Sequence, residues 1–89
     1  MIRGNAVVVN AKGLHIKPAG AMSRIALKYP CTVYLEVREY QVNAKSVLGI
    51  LSAQVKCGES IALVCSGEQE QEALAELLAG VENGFGMKE

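Results

Sequence analysis

Apolar and polar positions along the chain predict four short β-strands. The sequence from Ile2 to Val9 is rich in Val, and residues 31–38 alternate apolar with polar side chains, as half-buried strands do. A third strand is predicted over residues 40–43, after a hairpin tip. Residues 60–66 are nearly all apolar, which indicates a strand in the middle of the sheet.

Three helices are predicted between and after these strands. Residues 16–29 carry apolar side chains at steps of three and four, and Pro18 lies in the first turn, where its missing N–H costs nothing. A short helix over 46–53 has Ser46 at the N-cap position, and a third begins at Glu68. The Gly-rich end, residues 83–89, is expected to be a flexible tail.

The order β-α-β-β-α-β-α predicts an α+β fold in which three helices cover one face of a mixed or antiparallel four-stranded sheet. At 89 residues the chain is expected to form one domain over residues 1–89. Apolar residues make up 51% of the chain and aromatic residues only 4%, so the core must be aliphatic.

Composition also limits where the protein works. No apolar run approaches the roughly 18 residues of a spanning helix, and the N-terminus lacks the order of a signal peptide, so we expect a cytoplasmic protein without membrane insertion. Cys31, Cys57 and Cys65 form no C-x-x-C motif and cannot all pair, which fits a reducing compartment. We interpret them as small apolar or surface residues and expect no metal site.

The net charge of zero hides an asymmetry between the two parts of the chain. Residues 1–60 carry eight basic and three acidic side chains, whereas residues 61–89 carry one basic and six acidic ones. The basic part either meets an acidic or phosphorylated partner or is an ordinary solvated surface. Nucleic acid is not expected, because no Arg-rich cluster interleaved with aromatic residues is present.

His15, the single histidine, precedes the first turn of the first predicted helix. Helix N-termini disfavour an imidazolium and favour an anion, so a histidine there is suited to remain a neutral nucleophile and to carry a phosphoryl group. Lys17 adds a positive charge in the same turn. Taken alone, however, a histidine near a helix start is more often an ordinary surface residue than a nucleophile.

Ser46 has two interpretations: a simple N-cap, or a phosphorylation site stabilised by the helix dipole. No other residues in the sequence complete a catalytic site around His15 or Ser46. There is no Asp, no second His and no Walker loop, so we expect neither a self-sufficient catalyst nor a cofactor.

Two motifs in register give the sequence a family resemblance: Gly13-Leu14-His15-x-x-Pro18-Ala19, and then Asn43-Ala44-Lys45-Ser46-x-x-Gly49. Over about residues 2–82 the chain resembles the HPr family, the histidine-containing phosphocarriers of the sugar phosphotransferase system. The resemblance implies an open-faced β-sandwich. It also implies that His15 accepts a phosphoryl group on Nδ1 from enzyme I and passes it to enzyme IIA, while Lys17 stabilises the phosphoryl group.

The resemblance also implies a docking surface and a regulatory site. The docking residues on the first two helices would be Gly20, Ser23, Arg24, Val47, Leu48 and Leu51, although the apolar ones could equally belong to the core. Ser46 matches the serine that HPr kinase/phosphorylase modifies in many relatives, where the added charge repels enzyme I and recruits a transcription regulator.

Three positions depart from the usual family pattern around His15. Lys17 replaces an Arg, Ile16 replaces a small residue, and Lys12 replaces an Asn or Ser. A lysine offers a point charge instead of a planar fork. These departures keep two functional hypotheses open: a phosphocarrier of sugar uptake, or an HPr-like regulatory binding protein that acts through Ser46 and the second helix with little carrier flux.

Overall fold

The computed structural model describes residues 1–87 of the chain. Its elements are β1 (Ile2–Val7), α1 (Ile16–Leu27), β2 (Thr32–Val37), β3 (Tyr40–Asn43), α2 (Val47–Ser52), β4 (Ser60–Ser66), α3 (Glu70–Glu82) and a final 3₁₀ turn (Gly84–Gly86). The predicted order β-α-β-β-α-β-α is therefore confirmed, with element ends displaced by at most two residues.

The four strands form one antiparallel sheet in the order β1-β4-β2-β3. β4 pairs with a neighbour on both sides, which confirms the central position predicted from its apolar sequence. Residues 61–65 of β4 are all buried, whereas the edge strand β3 has no fully buried residue. Continuous burial thus distinguishes β4 from β2, which also lies between two strands but alternates buried with exposed or half-buried residues.

The core fills the space between one face of the sheet and the helices. Leu35 and Leu63 of the sheet belong to the same buried cluster as Met22 of α1 and Leu77 of α3. None of the largest fully buried side chains is aromatic, which confirms the aliphatic core expected from the composition. The predicted open-faced sandwich, with helices on one face of the sheet, is the observed architecture.

A row of polar side chains crosses the opposite face of the sheet. Glu36 accepts hydrogen bonds from the Arg3 guanidinium and from Gln41 Nε2, the latter at 2.9 Å. Val64 lies opposite Arg3 in the register of β1 and β4 and is only 4% exposed. This polar layer therefore shields the central strand without a second layer of helices.

The C-terminal segment corrects the prediction of a flexible tail over 83–89. The buried Asn10 Nδ2 donates a 3.0 Å hydrogen bond to the Gly84 carbonyl, and the Phe85 ring packs against the core. A Cβ on Gly80 would lie 2.5 Å from this ring, so a glycine is needed there for Phe85 to approach α3. Residues 84–86 are thus part of the folded body, and residues 88 and 89 lie outside the described part.

The cysteines follow the interpretation made from the sequence. Cys31 and Cys65 are buried free thiols, and Cys57 is an exposed one. Burial raises the pKa of the Cys65 thiol to about 11, which keeps it protonated and unreactive at neutral pH. Among residues 1–87, no helix has the length and apolar character that a membrane span requires, and no cluster of three or more His, Cys or Glu side chains could hold a metal ion.

Candidate functional site

Backbone contacts hold the turn that leads into α1. Gly13 N donates to the Asn10 carbonyl at 2.8 Å, and Leu14 N donates to the Val55 carbonyl at 3.0 Å. Gly13 has φ +69°, and a Cβ added there would lie 2.1 Å from the Val55 oxygen. Only glycine accepts both the left-handed backbone and this close approach. The turn before His15 is therefore fixed against the segment that follows α2.

His15 is the N-cap residue of α1, as predicted. Its backbone is extended, with φ −75° and ψ −169°, and its carbonyl accepts from Ala19 N at 2.9 Å. Its side chain makes no capping hydrogen bond and is half-buried. The first turn of α1 carries no acidic residue. No carboxylate of that turn therefore repels an anion bound at the positive end of the helix.

A depression of about 410 Å³ lies beside His15. It is lined by Lys12, Leu14, His15, Leu51, Gln54, Val55 and Lys56. Lys12 and Lys56 are exposed cations on its rim, whereas Lys17, the predicted phosphoryl-stabilising residue, is exposed on α1 and does not line it. Lys12 is three residues from His15 in the sequence, whereas Lys56 is a cation that the sequence motif alone does not place beside His15.

Gln54 and Lys56 are the site residues that the sequence analysis missed. They come about forty residues after His15 and reach it because Leu14 N bonds to the Val55 carbonyl. A hydrogen bond between two backbone groups has no side-chain signature, so only the glycine at position 13 hints at such a close approach.

The start of α2 confirms the predicted N-cap. The Ser46 backbone is extended, with φ −111° and ψ 119°, and its Oγ accepts a 3.0 Å hydrogen bond from Gly49 N. Lys45 N in turn donates to Asn43 Oδ1 at 2.9 Å. The side chains of Asn43 and Ser46 thus build the turn that begins the helix.

The apolar residues predicted to dock partners on α2 divide between surface and core. Leu48 is 78% exposed, whereas Val47 and Leu51 are partly buried against the core, and Ile50 is completely buried. Of the three predicted docking residues on α2, Leu48 is thus available to a partner, whereas Val47 and Leu51 also belong to the core. Leu48 is the large apolar side chain that α2 presents to solvent.

On α1 the structure retains two of the three predicted docking residues at the surface. Ile16, Gly20 and Arg24 follow each other at steps of four residues and therefore share one face, on which Ile16 is 60% exposed and Arg24 is exposed. Arg24 also borders a cleft of about 560 Å³ between α1, α3 and Phe85.

Ser23 is the exception, and its predicted role in docking is wrong. It is only 4% exposed, and its Oγ donates a 2.8 Å hydrogen bond to the Lys45 carbonyl. Lys45 Nζ donates to the Tyr29 carbonyl at 2.7 Å. These two bonds tie the segment before Ser46 to α1, so Ser23 serves the fold and is inaccessible to a partner.

An open-faced sandwich with a histidine at the start of its first helix defines a class of small phosphocarriers. A sequence model of the "PTS HPr component phosphorylation site" family matches residues 2–83, and on this match the chain belongs to the HPr family. It is thus a member of the phosphocarriers of the phosphotransferase system.

Three individual similarities agree with the family. The chain is 40% identical to the HPr-like protein Crh of Bacillus subtilis over 70 residues, 79% of this chain and 82% of the relative. It is 30% identical to phosphocarrier protein HPr of Cupriavidus necator over 86 residues, 97% of each chain. The crystal structure of HPr-C-His from Thermoanaerobacter tengcongensis matches with a TM-score of 0.94 at 32% identity, covering 100% of both chains.

Proposed function

We propose that His15 is the phosphoryl acceptor of this carrier, taking the group from enzyme I and passing it to a histidine of an enzyme IIA domain. In the first step the P–N bond of the enzyme I phosphohistidine breaks as a bond forms between phosphorus and His15 Nδ1. In the second step His15 leaves and the enzyme IIA histidine takes its place. The observation that carries the proposal is the position of His15 at the start of α1, beside a depression with Lys12 and Lys56 on its rim.

The electrostatics of this position suit a phosphoryl group. The amides of a first helical turn lack intrahelical acceptors, and the helix dipole favours negative charge there. Lys12 and Lys56 on the rim, with Lys17 in the first turn, supply positive charge for the phosphoryl oxygens. The protein does not act as a self-sufficient catalyst in this scheme, because donor and acceptor supply the other half of each transfer.

The open form of the site supports the same role. A carrier must present one nitrogen to two different proteins in turn, and His15 is half-buried beside a surface depression. Ile16, Gly20 and Arg24 on α1 and Leu48 on α2 are exposed or half-exposed and would supply docking surface for these partners. We place this exchange in the cytoplasm.

The test is the intact mass of the protein after incubation with phosphoenolpyruvate and enzyme I from the source organism. We expect one acid-labile phosphoryl group in the wild-type protein and none in His15→Ala. Absence of the adduct, while enzyme I phosphorylates a standard HPr in the same tube, would refute His15 as the acceptor.

The second candidate function is an HPr-like regulator that acts through Ser46 and α2. Two observations favour it: the 40% identity to Crh, and the bulky Ile16 and the Lys17 point charge beside His15. In this scheme HPr kinase/phosphorylase modifies Ser46, and the phosphate next to exposed Leu48 creates a surface for a transcription regulator.

The two functions are separated by a genomic and a biochemical observation. A second HPr in the same genome that matches the family at positions 12, 16 and 17 favours the regulator. Phosphorylation that requires ATP and a kinase and disappears in Ser46→Ala, together with failure of the His15 reaction, would establish it.

A further inference from the structure

Arg38 occupies an unusual backbone conformation at the tip of the β2–β3 hairpin. Its φ is +57°, in the left-handed region that Asn, Asp and Gly tolerate better than Arg does. Its guanidinium turns to the end of α2, where Nη2 donates to the Ala53 carbonyl at 2.5 Å and to the Gln54 carbonyl at 3.1 Å. The side chain thus satisfies carbonyls that a helix C-terminus leaves without intrahelical partners.

The same guanidinium also holds the turn that precedes β4. Arg38 Nε donates to Glu59 Oε2 at 2.8 Å, and Glu59 Oε1 accepts from Lys56 N at 2.8 Å. The Arg38 guanidinium and the Lys56 amide keep the pKa of Glu59 below its usual value, so this carboxylate remains charged at neutral pH. Residues 53–59 are therefore bound at both ends to one arginine.

This segment forms one side of the depression beside His15. Gln54, Val55 and Lys56 line it, and the Val55 carbonyl accepts the hydrogen bond from Leu14 N. Arg38 itself does not line the depression. It can reach His15 only through the segment that it holds.

We propose that Arg38 is a positioning residue for phosphoryl acceptance, holding residues 53–56 so that Val55 fixes the turn before His15 and Lys56 remains at the rim. The inference rests on the proposed function of His15. Displacing a reacting group by about 1 Å can lower a rate by about a hundredfold, so a relaxed segment should have a measurable kinetic effect.

The informative substitution is Arg38→Asn, because Asn tolerates the left-handed backbone and removes only the guanidinium contacts. We expect the maximal rate of His15 phosphorylation by enzyme I and phosphoenolpyruvate to fall about tenfold, with KM changed less than about twofold. Arg38→Lys retains a charge near Glu59 but not the fork, so its rate should lie between those of Arg38→Asn and the wild type.

Arg3→Asn is the matched control. Arg3 forms an ion pair with Glu36 on the open face of the sheet, and the two arginine side chains are similarly exposed, 54% for Arg3 and 43% for Arg38. Loss of Arg3 removes one surface ion pair and leaves residues 53–59 untouched, so the phosphorylation rate should remain unchanged.

Amide hydrogen exchange supplies a readout that does not depend on phosphorylation. The Leu14 amide should exchange about tenfold faster in Arg38→Asn than in the wild type, while amides of β4 keep their exchange rates. The alternative is that Val8, without Arg38, holds the turn that precedes β4. Val8 N donates to the Glu59 carbonyl, and the Val8 carbonyl accepts from Gly58 N.

Each result decides one part of the account. An unchanged Leu14 exchange rate in Arg38→Asn, or equal kinetic losses in Arg38→Asn and Arg3→Asn, would overturn the positioning role. Failure of wild-type phosphorylation would instead refute the proposed function, and the exchange rates would still show whether Arg38 holds the turn before His15.

Discussion

His15 and Ser46 stand at the same position relative to a helix, and their side chains are used differently. Both are N-cap residues with extended backbones, His15 on the 12-residue α1 and Ser46 on the 6-residue α2. Ser46 Oγ accepts from Gly49 N, whereas the His15 side chain makes no capping hydrogen bond to α1. The start of α1 is instead held by backbone contacts of Gly13 and Leu14 with residue 55.

At α1 the backbone of residues 13 and 14, and not the side chain of the cap residue, holds the start of the helix. Because backbone contacts fix the entry to α1, the phosphoryl transfer proposed for His15 would break no capping hydrogen bond of that helix. At Ser46 the hydroxyl is part of the helix start, so a phosphate there must replace an existing hydrogen bond.

The largest effect is expected where the contact between Gly13 and Val55 is broken. Gly13→Ala introduces both a strained backbone and a Cβ at 2.1 Å from the Val55 oxygen, so the free energy of unfolding should fall by about 3 kcal/mol. Gly58→Ala is the control, since Gly58 has φ +89° but open space around it, and should cost about 1 kcal/mol. Equal losses in urea unfolding would show that close approach to Val55 does not require the glycine.

A charge at Ser46 should affect binding more than folding. Ser46→Asp keeps an N-cap acceptor and adds a negative charge beside Leu48, so affinity for enzyme I should fall about tenfold while stability is retained. Ser46→Ala removes the cap without adding charge and should instead lose about 1 kcal/mol of unfolding free energy. Calorimetric titration with enzyme I and urea unfolding separate the two effects, and unaltered affinity in Ser46→Asp would remove the proposed switch.

A smaller gain is expected from Lys17→Arg beside His15. The guanidinium offers a bidentate fork to a phosphoryl group, so the rate of transfer from enzyme I should rise about threefold. Lys28→Arg, at the C-cap of α1 and paired with Glu76, is the control and should not change the rate. A lower or unchanged rate in Lys17→Arg would show that lysine is no disadvantage at this position.

The smallest effect concerns acid stability. Hydrogen bonds from Arg38 and Lys56 lower the pKa of Glu59, and those from Lys28 and Tyr29 lower the pKa of Glu76. The unfolded chain therefore binds more protons at acidic pH, so this stability is present above about pH 4.5 and is lost as the pH falls through the folded-state pKa values. Urea unfolding across this window should show a shallower decline in Glu59→Gln, and an identical slope would contradict the linkage.

Local features of the sequence predicted the elements, whereas contacts distant in sequence escaped prediction. The Ser46 cap and the central β4 follow from neighbouring residues. The apolar stripe of α1 was predicted through Ala19 and Met22, and Ser23 lies beside it at i+4 from Ala19, a signal for burial that its polar chemistry obscured.

The C-terminal turn and the far side of the candidate site had no such local signal. The Gly-rich end predicted a flexible tail, but the Phe85 ring packs against α3 at Gly80, where the absence of a side chain leaves room for it. Lys56 joins the rim because Leu14 bonds to its neighbour Val55 across the fold. Phe85 belongs to a folded turn and Lys56 to the candidate site because of contacts with residues distant in sequence, which only the folded chain brings together.

Delivery of the phosphoryl group is the most direct test of the central claim, that His15 both accepts and passes it. The protein is phosphorylated by enzyme I, separated from enzyme I and phosphoenolpyruvate, and mixed with an enzyme IIA domain of the source organism while both masses are followed. We expect His15 to lose its phosphoryl group as enzyme IIA gains one, in equal amounts. A stable phosphohistidine, or its loss to water alone across all enzyme IIA domains of the organism, would contradict the carrier function.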